Sequence, residues 1–65
     1  MMFKTILFLI DRDPDYTVTY SYHNCTLEEA VKLFRENCPG ETAICLVYAE
    51  DRWVFAEYIR GGAVG

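Results

Sequence analysis

The chain has 65 residues, of which 6 are Lys or Arg and 10 are Asp or Glu, and its formal net charge is −4. This length allows one domain, whose core is marginal without help from a disulfide, a metal or a second subunit. The hydrophobic fraction of 52% argues against intrinsic disorder, and the acidic balance argues against direct nucleic-acid binding.

The first apolar stretch, residues 3–10, predicts a buried strand. It ends at Asp11 without the cleavage site of a signal peptide, and it is far shorter than the roughly 20 residues that cross a bilayer. Residues 11–15 are rich in Asp and contain Pro14, which predicts a hairpin loop. Residues 16–22 alternate between large and small polar side chains, as in a half-exposed second strand.

The segment Thr26-Leu27-Glu28-Glu29 matches a capping box at the start of a helix. In such a box the threonine hydroxyl and the glutamate carboxylate each accept a hydrogen bond from the other residue's backbone amide. The apolar residues that follow recur with the period of one helix face: Leu27, Ala30, Val31, Phe34 and Cys38. Pro39-Gly40 ends the predicted helix.

The C-terminal part of the chain predicts a second hairpin. Residues 42–49 carry no charge and predict the third strand, Glu50-Asp51-Arg52 predicts a turn, and residues 53–60 predict the fourth strand. We expect residues 61–65 to form a flexible tail, so the predicted domain is 1–60.

This order of elements, ββαββ, predicts an α+β fold with a four-stranded antiparallel sheet and one helix packed on one face. The helix carries the chain back across the sheet, so the second and third strands run parallel with another strand between them. The first and third strands are the least polar and are expected in the centre, which gives the order 2-1-3-4. The order 1-2-4-3 satisfies the same connectivity and stays open.

Charge indicates which face the helix covers, because a buried unpaired charge is costly. One face of the sheet includes Lys4 and Glu57, so we expect the helix on the other face, over Leu7/Leu9, Ile44/Leu46 and Val54/Ala56, with Val18 and Tyr20. The uncovered face would then be apolar and would include Cys45, with Thr17, Thr19 and Ser21 on the second strand. We predict an interface there formed by Ile6, Phe8, Ile10, Val47, Trp53, Phe55 and Ile59.

Three acidic residues in the first loop invite comparison with a calcium site. Asp11, Asp13 and Asp15 alternate as calcium ligands do, but Tyr16 and Tyr22 stand where an EF-hand loop has glycine and glutamate. We therefore interpret the loop as a solvated acidic turn, and we treat the three carboxylates as a hypothetical acidic contact for a partner.

The cysteines and the single histidine do not predict a site. His23, Cys25, Cys38 and Cys45 lack the spacing of a zinc site. Cys25 and Cys38 flank the helix and would lie nearly 20 Å apart, beyond the roughly 7 Å that a disulfide spans. We expect reduced thiols and a cytoplasmic location. No phosphate loop, Ser-His-Asp set or carboxylate pair is found, so we predict no catalytic residue, no metal, no cofactor and no enzymatic activity.

The layout of the chain resembles that of small phage-encoded inhibitors of the anti-CRISPR kind. The resemblance rests on the order of elements, on the helix start Thr-Leu-Glu-Glu-Ala-Val and on the final hairpin at Glu50-Asp51-Arg52-Trp53-Val54-Phe55. Some of those inhibitors are single ββαββ sheets with one helix. The first fifty residues are also similar to the antitoxin of HicA–HicB systems, but they lack the Gly-Cys-Thr segment expected there before the helix. Either resemblance implies a protein that acts by blocking another protein.

Two functional hypotheses follow. The first is a small non-enzymatic binding module that self-associates as a homo-oligomer, or docks a protein partner, through the uncovered sheet face, with Trp53 and Phe55 as anchors. The alternative is a phage or mobile-element inhibitor that acts through Asp11, Asp13 and Asp15. Neither hypothesis involves a membrane or direct contact with nucleic acid.

Overall fold

The computed structural model describes residues 1–13 and 16–61, without the side chains of residues 12 and 13. The elements are β1 (Met2–Asp13), β2 (Tyr16–Thr26), α1 (Leu27–Asn37), β3 (Ala43–Ala49) and β4 (Arg52–Ile59). The predicted order ββαββ is confirmed, although β1 and β2 are longer than the sequence pattern indicates. Part of the predicted first loop, residues 14 and 15, and most of the predicted tail, residues 62–65, lie outside the described residues.

The four strands form one antiparallel sheet in the order β2-β1-β3-β4. The preferred order is therefore confirmed, and the alternative 1-2-4-3 is excluded. The two least polar strands, β1 and β3, pair with each other in the centre of the sheet, where both of their edges are covered. The two strands with more polar residues, β2 and β4, form its edges.

Helix α1 begins at the predicted capping box. The Thr26 hydroxyl accepts from the Glu29 amide at 3.1 Å, and the Glu29 carboxylate accepts from the Thr26 amide at 3.1 Å. The helix ends where the Cys38 amide donates to the Phe34 carbonyl at 2.7 Å, and Gly40 follows with a φ of 83°. Both ends therefore satisfy backbone groups that would otherwise lack partners.

The helix lies over β1 and β2, where aromatic rings hold it. The ring of Phe34 stacks on that of Phe8 with centroids 4.4 Å apart, and Tyr20 meets Phe34 edge to face. At the C-terminal end of the helix, the Asn37 side chain donates to the Tyr22 hydroxyl at 2.9 Å. These contacts fix the helix against one half of the sheet.

The predicted face for the helix is wrong for β1 and β3. It is right for Val18, Tyr20 and Ala56, which pack against the buried core. It is also right for Val54, which pairs with the buried Val47. The buried core beneath α1 includes Ile6, Phe8, Ile10, Val47 and Ile59, each no more than 6% exposed, so these five residues of the predicted interface are not on the uncovered side. Cys45, also expected there, is buried with them.

Charge does not decide which face the helix covers, because the helix does not cover the whole sheet. Glu57 lies on the helix side, but on edge strand β4, where it stays exposed. Lys4 is exposed near the N-terminal end of β1. Neither charge is buried, so neither carries the desolvation cost on which the expectation depended.

A bulge in β4 changes the facing of its first half. Cys45 pairs with Glu57, but the next residue of β3, Leu46, pairs with Phe55, so Ala56 has no partner. One extra residue reverses the alternation of side chains along the strand. Trp53 therefore lies on the same side of the sheet as Tyr58, and Ile59 lies on the other side. The register thus places Trp53 and Phe55 on the uncovered face, as expected from the sequence.

The turn between β3 and β4 has two residues, Glu50 and Asp51, with φ values of 52° and 63°. Two consecutive positive φ values are typical of the type I′ turn, whose twist matches that of a two-stranded hairpin. Neither residue is glycine, so both carry some backbone strain.

Gly61 holds the chain after β4 against the loop between α1 and β3. Its amide donates to the Thr42 hydroxyl at 2.9 Å. A Cβ at this position would lie 2.5 Å from the carbonyl oxygen of Gly40, so only glycine fits without a backbone shift.

The corrected facing predicts unequal costs for two neighbouring truncations in β1. Ile6→Ala removes a fully buried side chain and should lower the free energy of unfolding by about 3 kcal/mol. Leu7→Ala, on the opposite face, should cost about 1 kcal/mol, since Leu7 is only partly buried. Urea unfolding at low protein concentration measures both. A larger loss for Leu7→Ala would contradict the facing.

The turn geometry predicts that Asp51→Gly stabilises the protein. Glycine adopts positive φ without the steric cost that aspartate has there, so the free energy of unfolding should rise by about 1 kcal/mol. Ser21→Gly is the control, because Ser21 is exposed in an ordinary strand, and it should lower stability by about 0.5–1 kcal/mol. Equal effects of the two changes in thermal unfolding would refute the turn assignment.

Candidate functional site

The sheet side that the helix leaves uncovered is the candidate site, and we call it the open face. The register places eight apolar or aromatic residues of β1, β3 and β4 there: Leu7, Leu9, Ile44, Leu46, Tyr48, Trp53, Phe55 and Tyr58. None of the eight belongs to the buried cluster beneath the helix. The predicted apolar uncovered face thus exists, with Trp53 and Phe55 on it, but its other residues differ from those expected.

Cross-strand pairing arranges the open face in three rows. The first row holds His23, Thr5, Tyr48 and Trp53. In this row Thr5 and Tyr48 are the residues next to the last paired residues of β1 and β3, Ile6 and Val47. The middle row holds Ser21, Leu7, Leu46 and Phe55. The third row holds Thr19, Leu9, Ile44 and Tyr58. Each row therefore runs from a polar residue on β2 to an aromatic residue on β4.

The apolar surface is most exposed on β4. Phe55 is 59% exposed, Tyr58 56% and Trp53 45%, and the neighbouring Ile44 of β3 is 41% exposed. The rings of Tyr48 and Trp53 meet edge to face at 5.0 Å, which restrains both side chains. Large rings held in place without a cover are typical of a binding surface.

The β2 side of the open face is polar. The Thr5 hydroxyl and the Nδ1 atom of His23 are 3.3 Å apart, and the Thr17 hydroxyl donates to Asp11 at 3.3 Å. None of the side chains in the three rows is a carboxylate, a lysine or an arginine. The open face thus has an uncharged centre and a polar border along one edge.

The contact between Thr5 and His23 pairs a hydroxyl with an imidazole, as in a nucleophile and its base. His23 is exposed, however, and the hydrogen bond described for its ring is to Thr5 and not to a carboxylate that would fix its tautomer. Thr5 and His23 are direct partners across β1 and β2, so we interpret the contact as cross-strand pairing.

The predicted acidic contact is described only in part. Asp11 is exposed at the end of the open face and accepts the bond from Thr17. The side chain of Asp13 and all of Asp15 lie outside the described residues, so the acidic contact stays a prediction. In the part of the chain that is described, no three His, Cys, Asp or Glu side chains could jointly hold a metal ion.

A groove of about 540 Å³ that no sequence motif predicts lies between the helix and β4. Leu27 and Val31 contribute apolar surface, while Lys32, Arg35 and Glu57 place both signs of charge around it. The groove exists because α1 packs toward β1 and β2, a displacement that no sequence pattern encodes.

The three cysteines are free. Burial raises the pKa of the Cys45 thiol from 9.0 to about 11, and the nearby Glu57 carboxylate adds to the effect. Desolvation also raises the pKa of Cys25, with a further contribution from Glu29. A thiol with a raised pKa is a poor nucleophile at neutral pH, so the position of Cys25 just before the helix does not activate it.

No protein-family model, curated protein or solved structure matches the chain. Among the described residues, no helix has the length and apolar character required to cross a membrane.

The raised pKa of Cys45 predicts lower stability at high pH. Below pH 9 the thiol is protonated in both states; between pH 9 and about 11 it ionises only in the unfolded chain, which favours unfolding. The loss should be on the order of 2 kcal/mol. Chemical unfolding across this range, compared with Cys45→Ala, isolates the thiol from tyrosine and lysine titration. The same pH dependence in both proteins would contradict the assignment.

Proposed function

We propose that the protein is a non-enzymatic binding module that contacts another protein chain through the open face. The observation that carries this proposal is the exposure of Ile44, Trp53, Phe55 and Tyr58 on one uncharged surface. A soluble domain rarely keeps so large an apolar surface in water unless a partner covers it.

The aromatic residues of β4 supply the main driving force in this proposal. Covering the exposed part of Phe55 or Trp53 removes on the order of 100 Å² from water, which corresponds to about 2.5 kcal/mol each before association costs. Aromatic side chains at the centre of a patch often dominate binding energy. Phe55 lies in the middle row and is the most exposed of the eight, so we expect it to be the principal anchor.

The chemistry of the open face favours a protein over a nucleic acid. Aromatic rings on a sheet can stack on bases, but sheets that do so surround the rings with basic residues. The three rows contain no Lys or Arg, and the chain as a whole carries a net charge of −4. Phosphate groups would therefore find no counter-charge among the aromatic residues.

This proposal predicts that protein contacts depend on Phe55. A photo-crosslinking residue at position 19, the exposed β2 end of the third row, should form adducts with another protein or with a second copy in cells of the native host. Phe55→Ala should reduce adduct yield at least tenfold, since about 2 kcal/mol of binding free energy is lost.

Val54→Ala is the matched control. Val54 is 40% exposed on the same strand but lies on the helix side, opposite Val47, so its truncation should leave adduct yield unchanged. Asp11→Asn tests the alternative inhibitor hypothesis, which predicts that this variant loses binding and that the Phe55 variant retains it. Equal adduct yields from the Phe55 and Val54 variants, with both folded by circular dichroism, would overturn the proposal.

A further inference from the structure

The broad side of the molecule is of the order of size that a stable interface requires. Its outline of 35 × 26 Å encloses roughly 900 Å² and includes the open face, and each partner of a standard stable interface buries about 800 Å². Two sheets stack at a separation of about 10 Å, a distance that interdigitated leucine and aromatic side chains fill. A dimer of stacked sheets would therefore bury the open face completely.

The distribution of charge permits this contact although the chain is acidic. Two copies with a net charge of −4 repel each other at long range. The three rows contain none of the charged groups, so no like charges meet in the centre of the stacked sheets.

The ends of β4 indicate how the two copies are oriented. Asp51 lies four residues before the middle-row residue Phe55. Arg60 lies five residues after Phe55, but Ala56 has no partner in the ladder, so Arg60 is also four strand positions from the middle row. A two-fold axis along the middle row therefore brings Asp51 of one copy opposite Arg60 of the other, twice. Both residues are exposed and of opposite charge, so this orientation is complementary at its border as well as at its centre.

Two other arrangements fit less well. A two-fold axis parallel to the strands would place the polar edge of β2 on the aromatic edge of β4, for example Ser21 on Phe55, and would bury hydroxyls against rings. Edge-to-edge pairing of two β4 strands would leave the open face exposed, and the bulge at Ala56 interrupts the regular edge that such pairing requires.

We propose that the open face binds a second copy of this chain, with the two sheets stacked about a two-fold axis along the row of Ser21, Leu7, Leu46 and Phe55. This inference rests on the proposed function and specifies the partner. In the dimer Leu46 and Phe55 meet their own copies, and the Trp53 row meets the Tyr58 row.

The first test is the mass of the purified protein across a wide concentration range, measured by sedimentation equilibrium. The expected result is a monomer–dimer equilibrium. Phe55→Ala should raise the dimer dissociation constant by at least about thirtyfold, because both copies lose the anchor. Val54→Ala should leave it unchanged. A monomer at every concentration overturns the inference.

The second test measures the orientation with spin labels on a Cys25→Ser background, in which the remaining cysteines, Cys38 and Cys45, are buried. Labels at Ser21→Cys, on the axis, should lie about 10 Å apart, and labels at Thr17→Cys, four residues off the axis, about 29 Å apart. Stacking about an axis parallel to the strands would give about 17 Å at both positions. Edge-to-edge pairing would give about 34 Å at position 21.

The outcomes separate this inference from the proposed function. A monomer that still forms Phe55-dependent adducts with a different protein in cells overturns the second copy as partner and leaves the binding function intact. A dimer with spin-label distances of either other arrangement overturns the stacking orientation. A monomer that forms no such adducts overturns both proposals.

Discussion

A single helix has to cover a sheet of four strands, and its width does not allow it. With side chains a helix is about 10 Å across, whereas four strands spaced about 4.8 Å apart span well over that distance. The stack of Phe34 on Phe8 places α1 over β1 and β2, so β4 receives the least cover. This mismatch explains why Val54 and Glu57 are exposed and why a groove lies beside the helix. It also explains why the Glu57 charge on β4 carries no desolvation cost.

The same limit explains why the open face is the candidate site. Both faces of β1 are apolar, since Ile6 and Phe8 point to the helix and Leu7 and Leu9 to the other side. The described part of the chain has one helix, and that helix buries only one of these faces. Stacking of two copies would bury the second face and would double the thickness of the core, which is a common way for small domains to gain stability.

The bulge at Ala56 has a large effect for one residue. Without it, strict alternation would place Trp53 and Phe55 on the side of Ile59, beneath the helix. With it, β4 contributes Ile59 to the core and three aromatic rings to the open face. The bulge also interrupts an edge strand rich in apolar residues, and such interruptions protect sheets from uncontrolled edge-to-edge pairing.

The sequence by itself determined the elements and their order. The structure agrees with three local signals in the sequence. These are the capping box at Thr26 and Glu29, the apolar period that includes Ala30 and Phe34, and the low polarity of residues 42–49. That one helix leaves an apolar sheet face uncovered also follows from composition and element count. Only the tertiary structure decided which face that is. The side of the sheet on which Trp53 lies depends on a bulge, and the cost of burying Glu57 depends on where the helix packs. Both are set by contacts between segments far apart in the chain, and a local sequence pattern does not contain those contacts.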